Sequence, residues 1–246
     1  MKVLISNDDG YQADGIKTLT KAIAEVAEVI VIAPSTNKSA ASSSLTINEP
    51  LEPIKIKENI YAIDATPSDC VHLALCGFLK EDIDLVITGI NSGANLGDDV
   101  IYSGTVAGAI EGRFLGLPSI AISITNFEAK YFTTAAKIAK KLVKNIKKAN
   151  LSHDTILNVN VPDIPYNEIK GIQITRLGKR HASEPAIVDK NNSNLYWIGD
   201  NGEEADNDVG TDFYAIKNNF VSITPLQIDL TKYNEIDAVS HWINSF

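Results

Sequence analysis

Residues 2–10, which read Lys-Val-Leu-Ile-Ser-Asn-Asp-Asp-Gly, combine a short apolar run with two adjacent carboxylates. Val3 to Ile5 predict a strand that is buried on both faces. Asp8 and Asp9 follow it, and their like charges repel unless a cation or a proton lies between them. Because ligands of open α/β sheets bind at the carboxyl ends of the strands, the stretch predicts a Mg²⁺ or Mn²⁺ site. Asn-Asp-Asp-Gly also suits an ordinary turn, and this stretch alone leaves that alternative open.

Size and charge limit the classes of protein that fit. The chain has 246 residues, of which 44% are hydrophobic, so it can form one large α/β domain or two small ones. Its formal net charge of −9 disfavours a nucleic-acid polymer or an anionic membrane as the main partner. A small anionic substrate remains compatible with that charge if a metal ion lies nearby. The sequence has no signal-like start and no apolar window of ~18 residues, so we expect a cytoplasmic protein.

The segment after Gly10 predicts a parallel strand–helix–strand unit. Apolar residues spaced by three and four indicate a helix over residues 14–26 with Asp14 as its N-cap. Val29 to Ala33 predict the second buried strand, which stops at Pro34. A polar loop over residues 35–44 follows at the carboxyl end of that strand. Most serine-rich runs are solvated loops, but this position brings Ser39 within reach of the cation predicted for the aspartate pair.

Residues 85–105 form the second informative stretch. A buried strand over residues 85–88 is followed by Gly-Ile-Asn-Ser-Gly-Ala-Asn at 89–95, and Ser-Gly-Thr at 103–105 opens a helix predicted over residues 106–115. A helix N-terminus with hydroxyl side chains beside it is a ready anion site. Asn91 offers a metal its carbonyl oxygen, and Asn95 can hydrogen-bond a phosphate. The alternative is a glycine-rich loop without a ligand. The stretch is neither a P-loop nor a dinucleotide fingerprint.

The remaining patterns predict further strands and helices around this core. Cys70 and Cys76 lie on a predicted helix over residues 67–79 and are expected in the core. Asn158 and Asn160 lie on a predicted strand and are expected to be buried and hydrogen-bonded. The other predicted strands are two or three within residues 45–63, then 119–124, 155–161, 172–177, 195–198, 213–216 and 221–224; helices are predicted around 135–150 and 234–243. We therefore expect one α/β domain over residues 1–246, with a mostly parallel core to about 170 and a β-rich region over about 171–246 whose terminal helix makes oligomer contacts.

The motifs together resemble those of the SurE (survival protein E) family of phosphatases. They are Asn-Asp-Asp-Gly at 7–10, Asn-Lys-Ser at 37–39, the 89–95 loop and Tyr-Ser-Gly-Thr at 102–105. The resemblance continues at 65–69, 171–176, 210–212 and 221–225, so it covers nearly the whole chain. It implies a metal-dependent 5′/3′-nucleotidase of the bacterial cytoplasm with a Rossmann-like core, assembled as a homodimer or homotetramer. By match, the ligands of one divalent cation per subunit are Asp8, Asp9, Ser39 and Asn91, and the phosphate-contacting residues are Asn95, Ser103, Gly104 and Thr105.

This interpretation implies hydrolysis of nucleoside monophosphates. The metal polarises a phosphoryl oxygen and activates a water, and the displacement then needs mainly positioning. Asp8 or Asp9 accepts the proton of that water, and the sequence does not choose between them. Activity on 3′-nucleotides and short-chain polyphosphate is left open. Two alternatives are an aspartyl-phosphate phosphatase, disfavoured because Asp-x-Asp-x-Thr is absent, and a non-catalytic nucleotide-binding regulator.

Overall fold

The structure is a computed structural model that describes residues 1–114, 118–152 and 154–246. The strands are β1 Lys2–Ser6, β2 Glu28–Pro34, β3 Ile54–Lys57, β4 Ile60–Ile63, β5 Leu85–Ser92, β6 Ser119–Ile124, β7 Ile156–Val161, β8 Ile172–Ile174, β9 Lys179–Arg180, β10 Ile187–Val188, β11 Tyr196–Trp197, β12 Glu204–Asp206 and β13 Val221–Leu226. The α-helices are α1 Asp14–Ile23, α2 Pro67–Leu73, α3 Gly104–Glu111, α4 Phe132–Asn145, α5 Asp212–Lys217 and α6 Ile236–Ile243. Within these residues no helix is both long enough and apolar enough to cross a membrane.

A mostly parallel sheet forms the centre of the molecule, in the order β3-β4-β2-β1-β5-β6-β7-β13-β8. Strand β1 lies between β2 and β5 and is parallel to both, while β3 and β13 run antiparallel to β4 and β7. Val3 and Ile5 pack with α1 and α4 on one face, and Leu4 packs with α2 on the other. This confirms the α/β fold and the strand buried on both faces. Strands β8 and β13 belong to the same sheet, so the sheet continues past residue 170.

Local capping and turns explain several differences from the predicted elements. Helix α1 has Ala13, not Asp14, as its N-cap, because the Ala13 N–H bonds the Gly10 carbonyl and the chain turns into the helix one residue earlier. Cys70 is buried as expected, but Cys76 is exposed, since the backbone leaves α-helical geometry at Cys76 and at Gly77, whose φ is +135°. The expectation of a core position for Cys76 is therefore wrong.

The strand predicted over residues 213–216 is also wrong. Residues 213–216 lie in helix α5, because the Thr211 side chain caps the N–H of Tyr214 and starts a helical turn. Of the two or three strands expected within residues 45–63, two are present, β3 and β4. Residues 45–47 add no third strand, since the Asp69 carboxylate accepts hydrogen bonds from the N–H and the hydroxyl of Thr46. Such side-chain bonds compete with the ladder bonds that a strand needs. The predicted end of α3 at residue 115 lies outside the described residues.

Gly15 lets α1 pack against the strand that leads into Asn91, which gives a test of the fold. A Cβ on Gly15 would overlap the Ile90 carbonyl oxygen, so we expect Gly15→Ala to lower the free energy of unfolding by about 1–3 kcal/mol. If helix propensity alone decided, the same substitution would raise the free energy of unfolding by about 1 kcal/mol. Urea denaturation measures the change, with Lys17→Ala on the exposed side of α1 as the control. A stabilised Gly15→Ala variant would contradict the close packing.

Candidate metal and phosphate site

Asp8 lies directly beyond β1 and is almost fully buried, with 4% of its surface exposed. Its Oδ1 accepts a hydrogen bond of 2.5 Å from the Thr105 hydroxyl, in the first turn of α3. A Cβ on Gly104 would lie 3.0 Å from Asp8 Oδ2, so the N-terminus of α3 approaches the carboxylate closely. Burial raises the pKa of Asp8 to about 6; the Thr105 hydrogen bond opposes this rise, and the neighbouring charge of Asp9 adds to it.

Asp9, which follows β1, contacts the end of β5, where Asn91 lies. Asp9 Oδ2 accepts a hydrogen bond of 3.1 Å from the Ser92 N–H. Burial raises the pKa of Asp9, and this hydrogen bond partly offsets the rise. The Asn91 side chain donates through Nδ2 to the Gly93 carbonyl at 2.8 Å, which leaves its amide oxygen to act as a ligand. Both predicted ligands thus lie where adjacent parallel strands end.

The loop after β2 brings Ser39 to the same place. The N–H of Lys38 donates to the main-chain carbonyl of Asp8 at 2.8 Å, so the loop runs directly against the aspartate pair. Asn37 Oδ1 accepts from the Ser39 N–H at 2.8 Å and shapes the turn. Ser39, Asp8 and Asn91 line one cavity of about 600 Å³. Loops following β2, β1 and β5 therefore converge there.

The donor atoms fit a hard divalent cation. Two carboxylates, a hydroxyl and an amide oxygen provide only oxygen, which Mg²⁺ and Mn²⁺ prefer over the nitrogen and sulfur ligands typical of zinc sites. Across the described residues no group of three or more His, Cys, Asp or Glu side chains is placed to hold a metal. A cation at this site would therefore depend on Ser39 and Asn91 as well as the aspartates. Ligation by these residues stays a prediction.

Asn95 is held rigidly by strands β6 and β7. Its main-chain N–H donates to Asn160 Oδ1 at 2.8 Å, and its carbonyl accepts from the side chains of Asn158 and Asn160 at 2.9 and 3.0 Å. Its own Nδ2 donates to Ser123 Oγ at 2.7 Å. Asn158 and Asn160 are fully buried, as expected. They position Asn95, which lines the cavity.

The polar side chains at the start of α3 have different contacts: Ser103 caps the helix and lines the cavity, and Thr105 bonds Asp8. Ser103 is the N-cap, because its Oγ accepts from the Val106 N–H at 3.0 Å, and Ser103 lines the cavity. Thr105 is fully buried and its hydroxyl serves Asp8, so its contact with a phosphate would be made by its main-chain N–H. The first N–H groups of a helix have no partner within the helix, and they favour anions. Phosphate binding by these residues stays a prediction.

Further cavity residues escaped sequence analysis. They include Asp99, Phe127, Arg180 and residues 199–201. Arg180 is 81 residues from its partner Asp99, and no local pattern announces such a contact. Residues 178–206, here called the arm, supply Arg180 and residues 199–201. The sequence offers one signal for this contact: the adjacent carboxylates of Asp98 and Asp99, beside the glycine-rich loop, favour a basic side chain as partner.

Comparison with known proteins shows the family. A family model described as Survival protein SurE matches residues 3–184. A relative from Ruthia magnifica subsp. Calyptogena magnifica, named 5′-nucleotidase SurE, is 69% identical over 244 residues, with 99% of each chain covered. One of the same name from Alkalilimnicola ehrlichii is 51% identical and covers 99% of this chain and 96% of its own. The crystal structure of the SurE protein from Aquifex aeolicus matches with a TM-score of 0.87 and 43% identity, covering 98% of this chain and 99% of that one. This chain therefore belongs to the SurE family.

Proposed function

We propose that this protein is a metal-dependent phosphoric monoester hydrolase that converts nucleoside monophosphates into nucleoside and phosphate. The observation that carries the proposal is the position of Asp8, Ser39, Asn91 and Asn95 on one cavity beside the N-terminus of α3. Relatives at 69% and 51% identity over their whole length are named 5′-nucleotidases, which supports the same reaction here. The enzyme class is that of a 5′-nucleotidase, EC 3.1.3.5.

The proposed ligands of one Mg²⁺ or Mn²⁺ per subunit are Asp8, Asp9, Ser39 and Asn91. When bound, the cation polarises a phosphoryl oxygen and lowers the pKa of a bound water. The fixed hydrogen bonds of Asn91 and Asp9 hold these side chains in place before any ligand arrives. Little reorganisation is then needed when the cation or the substrate binds.

The chain's own groups supply positioning and proton transfer. The Ser103 hydroxyl and the first N–H groups of α3 bind the phosphoryl oxygens, and Asn95 adds a polar contact from a rigidly held loop. One of the two aspartates accepts the proton of the attacking water. Because all these groups are proposed to contact the phosphoryl group and not the nucleoside, we extend the proposal to 3′-nucleotides and short-chain polyphosphate. Phosphate release across a panel of these compounds, with each metal in turn, measures that range.

Replacing Asp9 tests the proposed reaction. We expect Asp9→Asn to lower kcat/KM for nucleoside monophosphates by at least about 100-fold, because a carboxylate is lost that binds the cation or accepts the proton. Phosphate release with saturating Mg²⁺ or Mn²⁺ measures the effect. Asp82→Asn, at an exposed position, is the control and should keep full activity. Activity near that of the wild type in Asp9→Asn would remove the mechanism.

The buried Asp8 predicts a pH dependence of stability for the metal-free protein. The folded protein holds the Asp8 proton more tightly than the unfolded chain, whose aspartates titrate near 3.9. The free energy of unfolding therefore falls as the pH rises from about 4 through about 6, by about 3 kcal/mol for this group. The half-buried Asp9 shifts in the same direction.

Asp8→Asn removes this titration. With EDTA present, we expect the variant to be about as stable as the wild type at pH 4 and more stable by about 3 kcal/mol at pH 7. Adding Mn²⁺ at pH 7 should stabilise the wild type and not the variant. Denaturant unfolding over this pH range measures both effects, with Asp82→Asn as control. A difference between wild type and Asp8→Asn that does not change with pH would contradict the prediction.

We propose further that the protein associates with copies of itself through its C-terminal segment. Helix α6 has no buried residue, and its apolar residues Ile236, Val239, Trp242 and Ile243 are 49–62% exposed. Phe246, stacked edge-on against Trp242, is 82% exposed. An apolar face of this kind is typical of a surface that a partner covers, and a second copy of the chain is the proposed partner. The expected cytoplasmic location stays a prediction.

Size-exclusion chromatography with light scattering tests the association. We expect a homodimer or homotetramer, and Trp242→Glu should shift it toward the monomer because a charge would be buried in the interface. Asp237→Ala on the same helix is the control. A wild-type protein that is monomeric at micromolar concentration would contradict the proposal.

A further inference from the structure

We propose that Arg180 is a substrate-contacting residue whose guanidinium binds the phosphoryl group of the substrate; this inference rests on the proposed function. Arg180 lines the cavity that holds Asp8, Ser39 and Asn91. Among the described residues that line this cavity, it is the only side chain with a permanent positive charge, whereas Asp8, Asp99 and Asp200 are acidic. The Arg180 guanidinium is therefore the one cationic side chain in this lining that can bind an anionic phosphate monoester.

The guanidinium is fixed in place before any substrate binds. Its Nε donates to Asp99 Oδ2 at 2.8 Å and its Nη1 donates to the Gly202 carbonyl at 3.1 Å. Its central carbon lies 4.9 Å from the centroid of the Phe213 ring. The side chain is 24% exposed, so the group is neither solvated like a surface arginine nor enclosed. A group held in this way loses little side-chain entropy when it binds an anion.

Part of the guanidinium remains available for an anion. The group carries five N–H bonds, and the contacts to Asp99 and Gly202 use two of them. Nη2 makes no hydrogen bond within the described part of the chain, so its two N–H bonds remain for phosphoryl oxygens. The Asp99 carboxylate orients the guanidinium, and the guanidinium keeps its positive charge because arginine stays protonated in proteins.

Arg180 also lies close to the proposed phosphate-binding turn. Its partner Asp99 lies in the 3-10 turn Gly97–Ile101, and the Asp99 carbonyl accepts from the Tyr102 N–H at 3.0 Å. Ser103, the N-cap of α3, follows one turn after Asp99. Ser103 and Arg180 line the same cavity. The proposal therefore places the arginine and the N-terminus of α3 around the same phosphoryl group.

The arm offers a matched control. Arg176 lies just before the arm and forms a two-pronged ion pair with Asp206 in it, but does not line the cavity. Arg180→Gln and Arg176→Gln both remove one arginine and one ion pair that involves the arm. If Arg180 served only to hold the arm, both variants would change ligand binding in similar ways.

The test compares a charged ligand with a neutral one. Calorimetry on the Mn²⁺-loaded protein measures the affinity for inorganic phosphate and for adenosine, and steady-state kinetics gives KM and kcat for adenosine monophosphate. We expect Arg180→Gln to weaken phosphate binding about 10- to 100-fold and to raise KM, with adenosine affinity unchanged. Arg176→Gln should leave all three as in the wild type.

Each outcome decides between the proposals. Unchanged phosphate affinity in Arg180→Gln, or equal losses for phosphate and adenosine, overturns the role of Arg180 while a working wild-type nucleotidase stands. A wild type that binds phosphate but hydrolyses nothing removes the proposed function, and the affinity comparison still decides on Arg180. A wild type that binds neither ligand removes both proposals.

If Arg180→Gln does not fold, Arg180→Lys provides the test. Its phosphate affinity should fall a few-fold while its adenosine affinity stays unchanged, and unchanged phosphate affinity overturns the inference.

Discussion

The burial of the Asp8 carboxylate at the end of a central strand is the constraint around which the site is built. A buried charge is costly unless hydrogen bonds and dipoles compensate it. The Thr105 hydroxyl and the N-terminus of α3 provide that compensation, and α3 comes this close because Gly104 has no side chain. The same contact sets the helix N-terminus, where an anion is favoured, beside the carboxylates that favour a cation. The proposed metal and phosphate sites are therefore one structural unit.

A second layer of buried polar groups holds the 91–99 loop in position. The main chain of Asn95 is bonded on both sides by asparagine side chains of β7, and its side chain is bonded by Ser123 of β6. Buried amide donors are costly when unpaired, and the Asn95 carbonyl gives the Nδ2 groups of Asn158 and Asn160 a partner. Strands β6 and β7 thus determine where Asn95, the proposed phosphate contact, lies in the cavity.

Sequence patterns predicted the parts that depend on local periodicity and on the direction of parallel strands. The buried β1, the convergence of Asp8, Ser39 and Asn91, and the strand over residues 119–124 follow from these two rules. The failures have other physical causes. Residues 213–216 form a short apolar, strand-like run, but a capping threonine starts a helix there. A turn before α1 moves the N-cap of that helix by one residue. Arg180 could not be found because its partner is distant in sequence.

One buried carboxylate ties the late segment of the chain to the loop around the site. Asp212 is fully buried; its Oδ2 accepts from the Gly97 N–H, and its Oδ1 accepts from the N–H groups of Gly178 and Phe213. Burial raises its pKa, and these hydrogen bonds oppose the rise. Gly97 begins the turn that carries Asp99, and Gly178 begins the arm that carries Arg180. Displacing the arm would leave a buried carboxylate short of donors, at a cost of several kcal/mol. The cavity is lined on one side by the loops that follow the strands and on another by the arm. Asp212 therefore holds these two parts in one relative position, although Asp99 and Arg180 are 81 residues apart in the chain.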